Sequence, residues 1–141
     1  MNPVRNYKFR RGNYKNVMGA KKYKISNGVN YQNLKFKKRW QKLSFFEQMA
    51  NIGSEIQRTI NWREKNPEYS KLAFERALEL IDLTVADKKN QRQGRLKELL
   101  RTRELLVDYF CFDNIYKSSD KIWQNYFLAF NYAARIYAKI F

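Results

Sequence analysis

From residue 44 to the end, apolar positions return every three or four residues, and four such stretches follow one another. In the first, Phe45, Met49, Ile52, Ile56 and Ile60 form one face of an amphipathic helix over about 44–64. Ser44, with Glu47 three positions on, makes a capping box, in which each side chain satisfies a free amide of the first turn. The second stretch opens on "NPEYS". Asn66 can cap, Pro67 suits the first helical position, and Glu68 favours the positive end of the helix dipole. Phe74, Ala77, Leu78, Ile81 and Val85 form its stripe, which runs to about Ala86. After the polar connector "DKKNQRQG", a third helix over about 94–111 aligns Leu96, Leu99, Leu100, Leu106, Val107 and Phe110. The loop "FDNIYKSSD" offers Ser118 or Ser119 as the cap of a fourth helix over about 119–140. Its stripe is Ile122, Tyr126, Phe127, Phe130, Ala134 and Tyr137. Short connections favour antiparallel neighbours. The expected fold is all-α: an antiparallel four-helix bundle over 44–141, preceded by an extended basic N-terminal tail over 1–43.

The tail breaks the pattern. Residues 1–43 hold thirteen Lys or Arg, no Asp or Glu, and seven aromatic rings: Tyr7, Phe9, Tyr14, Tyr23, Tyr31, Phe36 and Trp40. Most of it reads as extended chain that buries too little to fold alone. Asn27-Gly28 is a type I′ turn signal, but a two-residue hairpin closed there puts the apolar residues on opposite faces. Phe36, Trp40 and Leu43, spaced four and three apart among Lys35, Lys37, Lys38, Arg39 and Lys42, fit a short basic amphipathic helix that docks its rings on the bundle.

Charge sharpens this division. The chain carries +16, yet residues 44–141 hold sixteen basic against thirteen acidic residues. The excess sits in the tail, and such asymmetry points to an anionic partner.

Catalytic chemistry is sparse. The chain has no histidine, which removes the commonest general base, the usual metal ligand and every Ser-His or Cys-His pair. The single Cys111 allows no intramolecular disulfide and reads as a buried thiol. The five glycines are scattered, so no phosphate loop forms. Glu75, Glu79 and Asp82, then Glu104 and Asp108, cluster beside apolar stripes and are expected to pair with Arg76, Arg101 or Lys97. Arg103 falls within a leucine stripe and needs an acid across the fold or a route to its edge. The expectation is a protein without catalytic residue, cofactor or metal.

Charge interleaved with rings suits RNA, whose phosphates attract Lys and Arg and whose unpaired bases stack on aromatic planes. The candidate nucleic-acid-binding residues are Arg5, Tyr7, Lys8, Arg10, Arg11, Tyr14, Lys15, Lys21, Lys22, Lys24, Lys35, Lys37, Lys38, Arg39 and Trp40 in the tail. Lys88, Lys89, Arg92 and Arg95 at the start of the third helix would extend the same surface. RNA is favoured over duplex DNA, because no recognition-helix pattern is visible. Two other readings use the same chain. One is a protein-interaction scaffold or homo-oligomer formed through the bundle, of toxin–antitoxin type. The other is a membrane-surface binder inserting Phe36, Trp40 and Leu43. The tail as a whole lacks a broad apolar face, which disfavours the membrane. No apolar run approaches the roughly 18 residues that span a bilayer, and a cytoplasmic location is expected.

The stretch "IGSEIQRTINW…YSKLAFERALELIDLTVADKKN…GRLKELLRTRELLVDYF", most of residues 52–110, resembles small uncharacterised helical proteins of bacteria and archaea. Its layout is also similar to the HEPN superfamily, helical bundles often linked to RNA cleavage or to nucleotidyltransferase partners. The HEPN pattern of Arg, four to six residues, then His is absent here. The resemblance therefore implies a nuclease-dead, binding or scaffolding version and assigns no functional residue.

Overall fold

The structure, a computed structural model, describes residues 31–140. They form five α-helices: α1 (Tyr31–Lys42), α2 (Phe45–Trp62), α3 (Pro67–Ala86), α4 (Gln93–Cys111) and α5 (Asp120–Ile140). A short 3₁₀ turn, Lys88–Asn90, lies between α3 and α4. The described residues are all-α, with no strand among them. The Asn27-Gly28 turn and the basic residues before position 31 lie outside them.

The local signals explain the helix ends. The Ser44 hydroxyl accepts from Glu47 N at 3.1 Å, and Ser44 N donates to Glu47 Oε1 at 3.4 Å, which completes the capping box. Asn66 Oδ1 accepts from Tyr69 N at 3.3 Å, with Pro67 in the first turn of α3. Ser119, not Ser118, caps α5, its hydroxyl accepting from Ile122 N at 3.2 Å. The α4–α5 loop is held by Asp108, whose carboxylate accepts from Ile115 N at 3.0 Å and Tyr116 N at 3.2 Å.

α2 is central, with its most extensive packing against α3 and α5, while α4 lies on α3. Met49, Ile52 and Ile56 of α2 meet Phe74, Leu78 and Ile81 of α3 in a core that also takes Leu99 and Leu106 of α4. Cys111 is buried, as its apolar setting suggests. Gly53 sets the contact between α2 and α5: a Cβ added there would stand 2.6 Å from Phe127 Cβ. That close approach rotates α5 so that Trp123 and Phe127 are buried, with Tyr126 and Phe130 half-buried. Ile122 and Tyr137, expected in the core stripe, are exposed instead. Ile122 lies at the edge of the apolar arc, and Tyr137 lies near the helix end, against Phe46. Tyr126, Phe127 and Phe130 take the inner face that the period marks, while Lys121, Gln124, Asn125, Arg135 and Lys139 line the other side.

Arg103 finds its acid across the fold, Nε donating to Asp82 Oδ1 at 2.9 Å and a terminal nitrogen to Oδ2 at 3.2 Å. Arg76 pairs with Glu79 at 3.1 Å and Arg101 with Glu104 at 3.7 Å. Glu79 and Glu104 thus pair as expected, Glu75 pairs with Lys71 at 3.8 Å and Asp82 with Arg103 instead, and Asp108 holds the loop amides.

Candidate nucleic-acid interface

α1 is an amphipathic helix with sharply different sides. Lys35, Lys37, Lys38, Arg39 and Lys42 are exposed. Phe36 and Leu43 are half-buried against the core, and Trp40 is inside it at 4 % exposure. The Trp40 indole donates to Thr84 Oγ1 at 3.0 Å, and that hydroxyl donates to Leu80 O at 2.7 Å. Phe36 stacks on Trp40 with ring centroids 6.0 Å apart. Arg76, from α3, lies 4.5 Å from the Phe36 centroid, and Arg39 lies 5.9 Å from it.

A buried polar cluster fastens α1 to the rest. Gln48 Nε2 donates to the Trp40 carbonyl at 2.9 Å and to Asp87 Oδ2 at 3.0 Å. Asn90 Nδ2 donates to Gln48 Oε1 at 2.8 Å and to Thr84 O at 3.0 Å. Lys89 Nζ donates to the Gln41 carbonyl at 2.9 Å and to the Asp87 carboxylate. Burial works against ionising Asp87, but hydrogen bonds from Lys89 and Gln48, with the Lys89 charge, outweigh it and hold the carboxyl below its usual range. On the other side of α2, Arg95 lies 4.7 Å from the Phe45 ring centroid. The C-terminal end of α1, the 3₁₀ turn and the first turn of α4 therefore gather around the start of α2.

The candidate residues divide into four groups. Lys35, Lys37, Lys38, Arg39, Lys88 and Arg92 are exposed cations of this region. Lys89 and Arg95 are in it but half-buried, with structural partners of their own. Trp40 requires correction: a ring buried in the core with its N–H already bonded has no face left for a base. Arg5, Tyr7, Lys8, Arg10, Arg11, Tyr14, Lys15, Lys21, Lys22 and Lys24 lie outside the described residues. The packing also removes the apolar edge on which membrane insertion depends, because Phe36, Trp40 and Leu43 face the protein. Lys42, exposed beside the others, and Arg76, brought over Phe36 from α3, were not among the candidates. The spacing of α1 marks Lys42. No local signal marks Arg76.

A second cluster holds charge of a different kind. Both Arg63 terminal nitrogens donate to the Asp120 carboxylate, at 2.9 and 2.5 Å, and Tyr109 Oη donates to Asp120 Oδ1 at 2.7 Å. This joins the end of α2, the body of α4 and the start of α5. Burial opposes charge on Asp120, yet the Arg63 and Tyr109 hydrogen bonds prevail and hold its carboxyl low. Burial, then the neighbouring Asp120, pushes the Tyr109 phenol up to about 12. Every carboxylate oxygen here is used within the chain, which marks a structural clasp.

Among the described residues, no group of three or more His, Cys, Asp or Glu is placed to hold a metal ion, and no helix is long and apolar enough to cross a membrane. Comparison with known proteins finds no matching family model, no matching curated relative and no matching solved structure.

Proposed function

We propose that this chain is a non-catalytic RNA-binding protein. In this reading α2–α5 act as an antiparallel four-helix body, and the basic N-terminal segment with α1, the 3₁₀ turn and the start of α4 supplies the binding surface. The carrying observation is the outward side of α1, where Lys35, Lys37, Lys38, Arg39 and Lys42 are exposed on a helix anchored through its buried side. Anchoring matters because pre-placed cations lose less side-chain and chain freedom on binding than free ones. Between residues 31 and 42 there is no acid to neutralise them. With Trp40 buried and Phe36 covered, this surface addresses phosphates. Stacking on bases falls to rings earlier in the chain, such as Tyr7 and Tyr14.

The test is a full-length variant, Lys35→Ala/Lys38→Ala/Lys42→Ala, titrated against fluorescent single-stranded RNA by anisotropy. Weaker binding is expected, with the slope of log K against log salt reduced by about 0.7 for each phosphate that is no longer neutralised. Unchanged affinity and slope would remove α1 from the interface.

A further inference from the structure

We propose that the outward side of α5 docks an acidic, amphipathic helix of another protein. α5 turns Trp123 and Phe127 inward, yet its outward side also exposes large apolar residues among its polar ones: Ile122 is 53 % exposed, Leu128 61 %, Tyr132 68 % and Ile136 40 %. Large apolar side chains gathered along one side of a helix and rimmed by polar residues mark an interaction surface. The uncovered side, from residue 122 to 136, is about 21 Å long at 1.5 Å per residue, enough for four turns of a partner helix.

The side is grooved. One hollow, of about 490 Å³, is formed by Leu128, Ala129, Tyr132 and Arg135. Another, of about 310 Å³, lies where α5 meets α2. The two share Asn125, Leu128 and Asn131 and so lie side by side. Trp123 lines the second hollow, is 4 % exposed, and has an indole N–H without an acceptor among the described residues. That nitrogen is buried beneath the hollow, so what an occupant meets is the exposed aliphatic side chains and the cations beside them. Laying an amphipathic helix in an apolar groove is a common mode of recognition.

Charge selects the occupant. The exposed charges of α5 are Lys121, Arg135 and Lys139, and the one acid in its sequence, Asp120, is held by Arg63 and Tyr109. A second copy of this chain fits poorly. Laid parallel, each of these cations meets itself. Laid antiparallel about residue 130, Lys121 meets Lys139. Like charges opposed across an interface are costly, and glutamates flanking an apolar stripe reverse that sign.

The experiment uses the full chain and synthetic peptides of about 18 residues, long enough for this side at 1.5 Å per residue. One peptide carries leucines on one side of a helix and glutamates on the other, the second has the same composition scrambled, and the third replaces each glutamate by lysine. The glutamate helix is expected to bind at least tenfold tighter than the other two. Leu128→Glu and Tyr132→Glu should each abolish that preference while thermal unfolding stays unchanged, since both residues are exposed. Equal binding of the scrambled peptide would reduce the effect to attraction by the basic segment and overturn the proposal. So would equal binding of the lysine helix, or a concentration-dependent dimer that Leu128→Glu dissolves in sedimentation. Loss of RNA binding in Leu128→Glu, with peptide binding kept, would assign this side to the nucleic-acid surface instead.

Discussion

Trp40 follows Arg39 in a run of lysines, where composition points to a base-stacking ring, and yet its indole is spent inside the protein on Thr84. Its burial makes it a stability residue. Trp40→Leu is expected to cost about 2–3 kcal/mol, below the 3–5 typical of complete truncation, and to leave RNA affinity unchanged. Urea unfolding beside an RNA titration separates this from stacking, whose loss would weaken binding by about 1–3 kcal/mol with stability intact. Gly53→Ala tests the tightest helix contact. The added methyl meets Phe127, and overpacking of this kind costs about 1–3 kcal/mol, of which alanine returns about 1 in helix propensity, so a net loss of up to about 2 is expected.

Protonation acts through single residues as well. Asp87 and Asp120 hold their carboxyls below the usual range near 4, so the unfolded chain takes up protons first as pH falls. Their stabilising effect is complete above about pH 5 and is lost as pH drops through the lower folded values. Tyr109 works in the opposite sense. With its phenol raised to about 12, its contribution is complete below about pH 10 and is lost as pH rises from there to 12. Urea midpoints measured from pH 2 to 12 should form a plateau with both shoulders. Asp120→Asn should flatten the acid shoulder and cost on the order of 2–3 kcal/mol at neutral pH, the low end for a pair that is only partly enclosed.

At the level of elements, α2, α3 and α5 begin where Ser44, Asn66 and Ser119 announce them, because caps are local and their signals sit next to each other in sequence. α1 was legible from Phe36, Trp40 and Leu43. The change of composition after Leu43 is a poorer guide, since apolar spacing, not charge, marks what packs. α1 belongs to the core cluster on the far side of that change. A chain beginning at Ser44 should therefore be less stable than the full chain by about 3–5 kcal/mol, the cost of emptying a large aromatic site. Equal unfolding midpoints for the two would make α1 an ornament of the fold. The polar ties were not legible. Gln48 reaches Asp87 across 39 positions and Asn90 across 42, and Arg63 reaches Asp120 across 57. No short motif marks such partners. Period disclosed most of the inner face of α5, Tyr126, Phe127, Phe130 and Ala134, but not the burial of Trp123 or the exposure of Ile122 at its edge, which depend on how closely α5 approaches Gly53.

For the whole molecule, charge and packing are divided along the chain and rejoined in space. The N-terminal 43 residues carry most of the +16, while the later residues are close to balance. α1 binds these two parts together, presenting cations outward while its rings are held within. In the proposed RNA-binding reading, such an arrangement makes affinity an electrostatic quantity, read through the counterions that bound phosphates release. Its most direct measurement is the dissociation constant of the full-length chain for a labelled RNA between 50 and 200 mM salt. If the basic surface neutralises on the order of six to ten phosphates of a single strand, affinity should fall by roughly 10²–10⁴ across that range. An affinity that stays flat with salt would contradict binding through this surface.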